Sequence, residues 1–153
     1  MLYKDHFIRP LLLPPLPDFI LGKINWNLSE YKRKAPVVTN PDYMWSDDFN
    51  SDMNDWCQKN IAGGIYYAFQ LASQDMPVHK DHGSTVKLLY ILDAGGDDVY
   101  TEFYKEDSLT LLHKEKIPLH QWCVIKTDIN HAVTGITPPR IRFSICAKLF
   151  GKI

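Results

Sequence analysis

The stretch STVKLLYILDAGGDDVYTEFYKE, residues 84–106, decides the fold class of this 153-residue chain. Two runs rich in Val, Leu, Ile, Tyr and Phe flank the turn sequence AGGDD, and both runs have the length of strands. No amphipathic helix lies between them. This favours an antiparallel arrangement of strands over the parallel sheet of a β-α-β chain, which needs a helical crossover.

The same pattern of short apolar runs and turn sequences continues to the end of the chain. Short runs of β-branched and aromatic residues recur at even spacing, and turn sequences such as SQDMP (residues 73–77), KIP, DINH (residues 128–131) and GITPP separate them. This spacing favours an antiparallel sandwich or jelly roll, with its core over residues 61–153. The six strand candidates are residues 64–72, 84–93, 99–106, 109–116, 120–128 and 140–150.

Residues 1–60 are predicted to support this sheet within one domain that spans residues 1–153. RPLLLPPLP, residues 9–17, has too many prolines for a helix and is expected to lie along the body as an extended arm. Residues 19–26 have the composition of one short strand. A helix is expected to begin at Ser46, which can cap its N-terminus, and to end before Gly63. Its predicted apolar face, which would cover the outer face of the sheet, is formed by Phe49, Met53, Trp56 and Cys57.

Composition limits the class of protein. A hydrophobic content of 45% fits a packed globular core and excludes a disordered chain. The formal charge of −1 gives no electrostatic case for binding a nucleic-acid backbone, although a local basic groove would keep nucleic acid open as a substrate. Three cysteines without a CxxC pattern indicate buried thiols in a reducing, cytoplasmic compartment. No apolar run reaches membrane length, and the first residues lack the order of a signal peptide.

Two histidines and one carboxylate form the first candidate site. His79 and Asp81 are two positions apart where a strand is expected to start, so an extended backbone directs both side chains to one face. His131 follows the strand candidate at residues 120–128, and a jelly roll brings residues that far apart together at the barrel mouth. Two imidazoles and one carboxylate bind three facing positions of Fe(II) and leave the other positions open for substrate and O2. The sequence therefore predicts a metal site of His79, Asp81 and His131.

An arginine-rich strand forms the second candidate site. Arg140, Arg142 and Ser144 alternate in RIRFS, so all three are expected on one face of the final strand. A guanidinium binds a carboxylate through two parallel hydrogen bonds, and two inward arginines are costly to bury without an anion. The pattern predicts an anchor for a dicarboxylate cosubstrate, with either arginine as its centre. Lys87 shares a strand face with Leu89 and is a candidate neighbour of the metal site.

The order H-x-D, H, R-x-S resembles that of the Fe(II)/2-oxoglutarate-dependent oxygenases, in particular small prolyl-hydroxylase-like members. KLLYILDAGGDDVYTEFY, residues 87–104, is similar to their strand and Gly-Gly turn after HxD, and WCVIKTDINHAVTGITPPRIRFSI, residues 122–145, to their segment with the second histidine. The resemblance begins after Ile61 and implies a double-stranded β-helix (jelly roll) with Fe(II) as cofactor. It further implies that Arg142 and Ser144 hold 2-oxoglutarate, that O2 is consumed, and that succinate and CO2 are formed. One departure is His120 or Gln121, where the family usually has glycine.

Other interpretations of these residues stay open. Each histidine alone fits a solvated loop position, and the arginines alone fit a solvated cationic edge strand. A cupin-type jelly roll with the same ligands could be a metal-dependent enzyme that needs no cosubstrate, and a non-catalytic jelly-roll module would bind neither. Hydroxylation is the expected reaction, and a protein side chain, a nucleobase and a small metabolite are all compatible as prime substrate.

Overall fold

The computed structural model describes residues 7–22, 42–45, 51–81, 83 and 85–149, and for residues 42–45 and 51 it describes the backbone only. Within these ranges the chain is built mainly of short strands, with a helix, α1, at Ser51–Asn60 and a shorter helical segment at residues 18–22. The strands are β1 Ile8–Pro10, β2 Asp42–Trp45, β3 Ala68–Ala72, β4 Met76–His79, β5 Val86–Asp93, β6 Tyr100–Tyr104, β7 Leu111–Glu115, β8 Trp122–Lys126, β9 Asn130–Thr134 and β10 Arg142–Leu149.

The strands form two antiparallel sheets. The larger sheet has the order β1-β8-β5-β10-β3-β2, and the smaller sheet has the order β4-β9-β6-β7. Along the chain, successive strands from β3 to β10 cross between the sheets, except for the β6–β7 hairpin, which stays within the smaller one. This winding is that of a double-stranded β-helix, as the sequence predicts.

Alternation along β5 and β10 separates two apolar cores. Leu88 and Tyr90 lie on the outer face of the larger sheet and pack in one cluster with Met53 and Cys57 of α1. The intervening residues point between the two sheets. There Leu89, Ile91, Phe103, Cys123, Ile125 and Cys146 form an inner cluster. Because the strand period is two, every second residue of β5 and β10 lines the barrel interior.

The N-terminal arm packs as expected. Its first strand, β1, extends the larger sheet by pairing with β8, and Pro14 O accepts a hydrogen bond of 3.1 Å from Trp122 Nε1. Met53 and Cys57 are buried, as the predicted helix face requires. The expected helix start at Ser46 and Phe49 lies outside the described residues.

The strand predicted at residues 19–26 is wrong where it is described. Residues 18–22 are helical, and the backbone N–H groups of Ile20 and Leu21 both donate to Pro17 O at 3.0 Å. The carboxylate of Asp18 is favourable in a first helical turn, and one turn suffices to bury Ile20. Residues 23–26 lie outside the described part.

Two strands stand where turns were predicted. Residues 73–77 and 128–131 have turn-like composition, yet β4 and β9 begin within them and pair with each other. Both are short and contain residues of low strand propensity, so their pairing and not their composition forms them. His131 consequently lies inside β9 and not in the loop that the sequence indicates. Among the described residues no helix is long and apolar enough to span a membrane.

Candidate metal and anion site

The β4–β9 pair brings the two histidines together. His79, the last residue of β4, is the register partner of His131 on β9. The centroids of the two rings are 4.3 Å apart. His131 is nearly inaccessible and also lies against the buried ring of Phe103, whereas about a third of the His79 side chain is exposed. One imidazole is therefore fixed in the core and the other forms part of the rim.

Asp81 completes a set of three. Its backbone N–H donates to Thr127 O at 3.0 Å, which holds the residue at the barrel mouth. Its Oδ1 lies 3.4 Å from His79 Nε2 and 3.4 Å from His131 Nε2. These separations exceed an ordinary N–H···O hydrogen bond. Adjacent ligands that each lie about 2.1 Å from a metal ion are separated by about 3 Å, close to the observed spacing.

The histidine rings are oriented by the backbone. His79 Nδ1 lies 2.6 Å from Pro77 O, and His131 Nδ1 lies 2.8 Å from Ile129 O. A carbonyl only accepts hydrogen bonds, so each Nδ1 carries the proton and donates it. In its neutral form, each ring then directs the lone pair of Nε2 towards Asp81. A metal-binding histidine is held in the same way by a carbonyl on its other nitrogen.

The electrostatics of Asp81 match a cation site. Burial by itself would raise the pKa of Asp81, but the contacts with His131 and His79 and the charge of Lys87 outweigh it and hold the pKa well below its usual value. The same carboxylate raises the pKa of His79 against the effect of burial. Asp81 Oδ2 is buried and accepts no hydrogen bond among the described residues. An ionised carboxylate with an unsatisfied buried oxygen fits a bound metal ion, so the donor set and the electrostatics agree.

Lys87 lies beside this carboxylate, as its strand face suggests. Its Nζ is 3.6 Å from Asp81 Oδ2, and 8% of its side chain is exposed. Lys87 lies on the inward face of β5, which also carries Leu89 and Ile91 of the inner cluster, and its register partner on β8 is Ile125. The site therefore contains an ammonium group as well as the three candidate ligands.

Arg142 and Ser144 both lie inside the barrel. They are 7% and 1% exposed, and they share the inward face of β10 with Cys146 of the inner cluster. The charge of Arg142 lowers the pKa of Cys123, although burial dominates and raises that pKa to about 12.

Gly95 sets the position of Arg142. It has a φ of 85°, and a β-carbon added to it would lie 2.6 Å from the Arg142 nitrogen. The Gly-Gly turn after β5 thus allows a close backbone approach at the start of β10. The sequence shows the glycines but not the strand that they meet.

Arg140 departs from the expectation that it shares the face of Arg142. It precedes β10, and its side chain is 46% exposed. Its Nη1 donates to Asp97 Oδ1 at 2.8 Å, and its Nη2 lies 3.5 Å from Asp93 Oδ1. The regular strand begins only at Arg142, where pairing with β3 starts, so alternation does not extend back to Arg140.

The carbonyls of Pro77, Ile129 and Thr127 are the parts of the site that the sequence does not reveal. They orient both imidazoles and hold Asp81, but a backbone acceptor has no residue signature. The neighbouring His82 lies outside the described residues.

Comparison with solved structures identifies proteins of the same fold. One similar structure is that of EvdMO1, with a TM-score of 0.55 and 11% identity over 98% of this chain and 49% of that chain. Another is the non-heme alpha ketoglutarate dependent epimerase SnoN from nogalamycin biosynthesis, with a TM-score of 0.52 and 13% identity over 95% of this chain and 78% of that one. The chain shares their fold. At these identities the likeness concerns the fold alone.

A weaker similarity extends to the hydroxypropylphosphonic acid epoxidase from S. wedmorenis. It has a TM-score of 0.40 and 13% identity over 57% of this chain and 45% of that chain. This chain spans less than half the length of the epoxidase and about half that of EvdMO1. A scan against protein-family models and a search of curated proteins found no match.

Proposed function

We propose that this protein is a non-haem Fe(II) enzyme and, more specifically, an oxygenase that uses 2-oxoglutarate and O2 to hydroxylate a prime substrate. The observation that carries the proposal is the convergence of His79 Nε2, Asp81 Oδ1 and His131 Nε2, with both Nδ1 atoms tied to carbonyls. Two imidazoles and one carboxylate suit Fe(II) and leave coordination positions open. SnoN, a protein of the same fold, is described as alpha ketoglutarate dependent, which supports the choice of cosubstrate.

In this proposal His79, Asp81 and His131 hold the metal ion. When bound, the ion would supply the activation of O2, coupled to conversion of 2-oxoglutarate to succinate and CO2, with one oxygen atom passing to succinate and the other to the prime substrate. The protein has to keep both imidazoles neutral, and their Nδ1–H donors to Pro77 O and Ile129 O favour that tautomer. The buried carboxylate of Asp81 offsets one of the two positive charges of the metal ion.

Arg142 and Ser144 are proposed to hold the far carboxylate of 2-oxoglutarate. A buried guanidinium can bind it through two charge-assisted hydrogen bonds, and the Ser144 hydroxyl can donate a third. Arg140 is a weaker candidate, because it is exposed and already paired with Asp97 and Asp93. The apolar side chains of the inner cluster would exclude water from the space around the cosubstrate.

A protein side chain, a nucleobase and a small metabolite are all compatible as prime substrate. SnoN is described as an epimerase, so epimerisation is the alternative outcome to hydroxylation. The three free, buried cysteines support an origin in a reducing compartment such as the cytoplasm.

The deciding experiment is an anaerobic titration of the metal-free protein with Fe(II) and then with 2-oxoglutarate. A weak visible charge-transfer band should appear only after both additions. The His131→Ala variant serves as control, because it should bind neither the metal nor, as a result, the chelate. Fe(II) binding without any response to 2-oxoglutarate would instead favour a cupin-type enzyme that needs no cosubstrate, and absence of metal binding would remove the proposal.

A further inference from the structure

Lys87 carries a buried charge that the three metal ligands do not explain. Its side chain is 8% exposed, and its Nζ lies 3.6 Å from Asp81 Oδ2. This distance is too long for a hydrogen bond, so the two groups attract only through their charges. A buried ammonium group is costly unless anions and acceptors surround it. In the described part of the chain Lys87 has this one ion pair, which leaves hydrogen-bond donors for another anion.

Lys87 and Arg142 lie at opposite ends of the inward face of the larger sheet. Lys87 is the register partner of Ile125 and Lys148, whereas Arg142 is the partner of Ala72 at the far end of β3. Lys148, the partner of Lys87, and Arg142 are six residues apart on β10. At the usual rise per residue this corresponds to about 20 Å along the strand. Lys87 contacts the metal-ligand set through Asp81.

The charges of the site then favour an anionic ligand beside the metal. A divalent ion bound by Asp81 and two neutral imidazoles leaves a net charge of about +1, and Lys87 adds another within a few ångströms. In a buried site this excess lowers the affinity for the metal alone and raises the affinity for an anion that binds next to it.

We propose that Lys87 is an anion-binding residue of this site. Its ammonium group binds the carboxylate adjacent to the 2-oxo group of the cosubstrate, and Arg142 binds the far carboxylate from the other end of the barrel. This inference rests on the proposed function, since it assigns a role in binding the same cosubstrate. On this inference, the charge of Lys87 lowers the affinity of the site for the metal ion alone and raises its affinity for the oxo acid.

The test measures binding to purified protein by calorimetry, with Ni(II) as the metal and without turnover. The variant Lys87→Met keeps the length of the side chain and removes the charge. We expect it to bind Ni(II) alone about tenfold more tightly, because a repelling charge is gone. We expect the loaded variant to bind 2-oxoglutarate roughly ten- to a hundredfold more weakly, because a charge-assisted hydrogen bond is lost.

Pyruvate and Arg142→Met separate the two ends of the site. Pyruvate has the 2-oxo acid group but lacks the far carboxylate. Lys87→Met should therefore weaken both pyruvate and 2-oxoglutarate, whereas Arg142→Met should weaken 2-oxoglutarate and spare pyruvate. Lys87→Arg should restore part of the affinity for both acids, because it restores the charge with a different shape. If Lys87→Met does not fold by circular dichroism, Lys87→Gln makes the same test with a polar neutral group.

The outcomes distinguish this inference from the proposed function. Loss of Ni(II) and oxo-acid affinity together in Lys87→Met would make Lys87 a structural residue and overturn the inference. Unchanged oxo-acid affinity in that variant, with a loss in Arg142→Met, would overturn the inference and leave the proposed function standing. A parent protein that binds Ni(II) but neither acid would overturn both.

Discussion

His79 and His131 face each other across the β4–β9 pair, with ring centroids 4.3 Å apart. Strand pairing fixes this relationship, because the two residues are register partners in an antiparallel ladder. Asp81 lies just beyond the end of β4 and reaches both rings with the same carboxylate oxygen. The candidate metal site is therefore a product of the smaller sheet, and it depends on two strands that are short and weakly patterned.

Removing a ligand should abolish tight metal binding. We expect His79→Ala, Asp81→Ala and His131→Ala each to lower the affinity for Fe(II) or Mn(II) by more than about a hundredfold, since a lost ligand costs more than a lost supporting contact. His113→Ala is the matched control, because His113 pairs with Glu115 outside the set of three. Calorimetric titration of each variant checks this. Parental affinity in His131→Ala would show that the assignment is wrong.

Metal affinity should fall in mild acid. Both histidines must be neutral to bind the ion, and Asp81 raises the pKa of His79 above its ordinary 6.5 in the metal-free protein. Protons therefore compete with the metal already above pH 6.5, and the affinity decreases as pH falls through the raised pKa. The loss should approach about tenfold per pH unit for each proton displaced. Constant affinity between neutral and mildly acidic pH would contradict histidine ligation.

The two arginines should behave differently towards the cosubstrate. Arg142→Ala should cost about 2–5 kcal/mol of 2-oxoglutarate binding, because it breaks a desolvated charge pair on one side. Arg142→Lys should restore only part of this, since an ammonium group lacks the planar fork of donors. Arg140→Ala should have little effect, because its guanidinium is exposed and engaged with Asp97. Affinity is measured on Fe(II)-loaded protein without O2. A large loss confined to Arg140→Ala would reverse the assignment.

The close approach at Gly95 should be visible in stability. Gly95→Ala forces a left-handed backbone onto a residue with a β-carbon and drives that carbon against the Arg142 backbone. Gly64→Ala is the control, because Gly64 has a φ of 77° but open space around its missing β-carbon. We expect the control to lower the free energy of unfolding by about 1–2 kcal/mol and Gly95→Ala to lower it by about 3 kcal/mol or more. Denaturant unfolding compares the two, and equal losses would mean that the contact with Arg142 has no cost.

The thiols should be inert in the folded protein. Burial raises the pKa of Cys57 and of Cys123 to about 12, so almost no thiolate exists near neutral pH. Iodoacetamide should label neither residue in native buffer and both after unfolding, as read by mass spectrometry of peptides. Rapid labelling of Cys123 under native conditions would show that the barrel interior opens to solvent.

The sequence by itself determined which segments form most of the larger sheet. The runs that became β3, β5, β8 and β10 are rich in apolar and β-branched residues, so their strand character can be seen directly. It also determined the identity of the three candidate ligands, because H-x-D and a later histidine before R-x-S are legible without coordinates. The buried helix face, with Met53 and Cys57, was predictable for the same reason.

Only the tertiary structure decided how these pieces meet. β4 and β9 have the composition of turns, and they are strands because β9 pairs with β6 on one side and with β4 on the other. Strand alternation alone does not distinguish Arg140 from Arg142, but pairing with β3 starts at Arg142, and Arg140 instead donates to Asp97 in the acidic turn. The contact of Lys87 with Asp81, and the carbonyls that orient both imidazoles, depend on distances between segments far apart in the chain. Local residue patterns do not predict these distances, because the packing of the two sheets determines them.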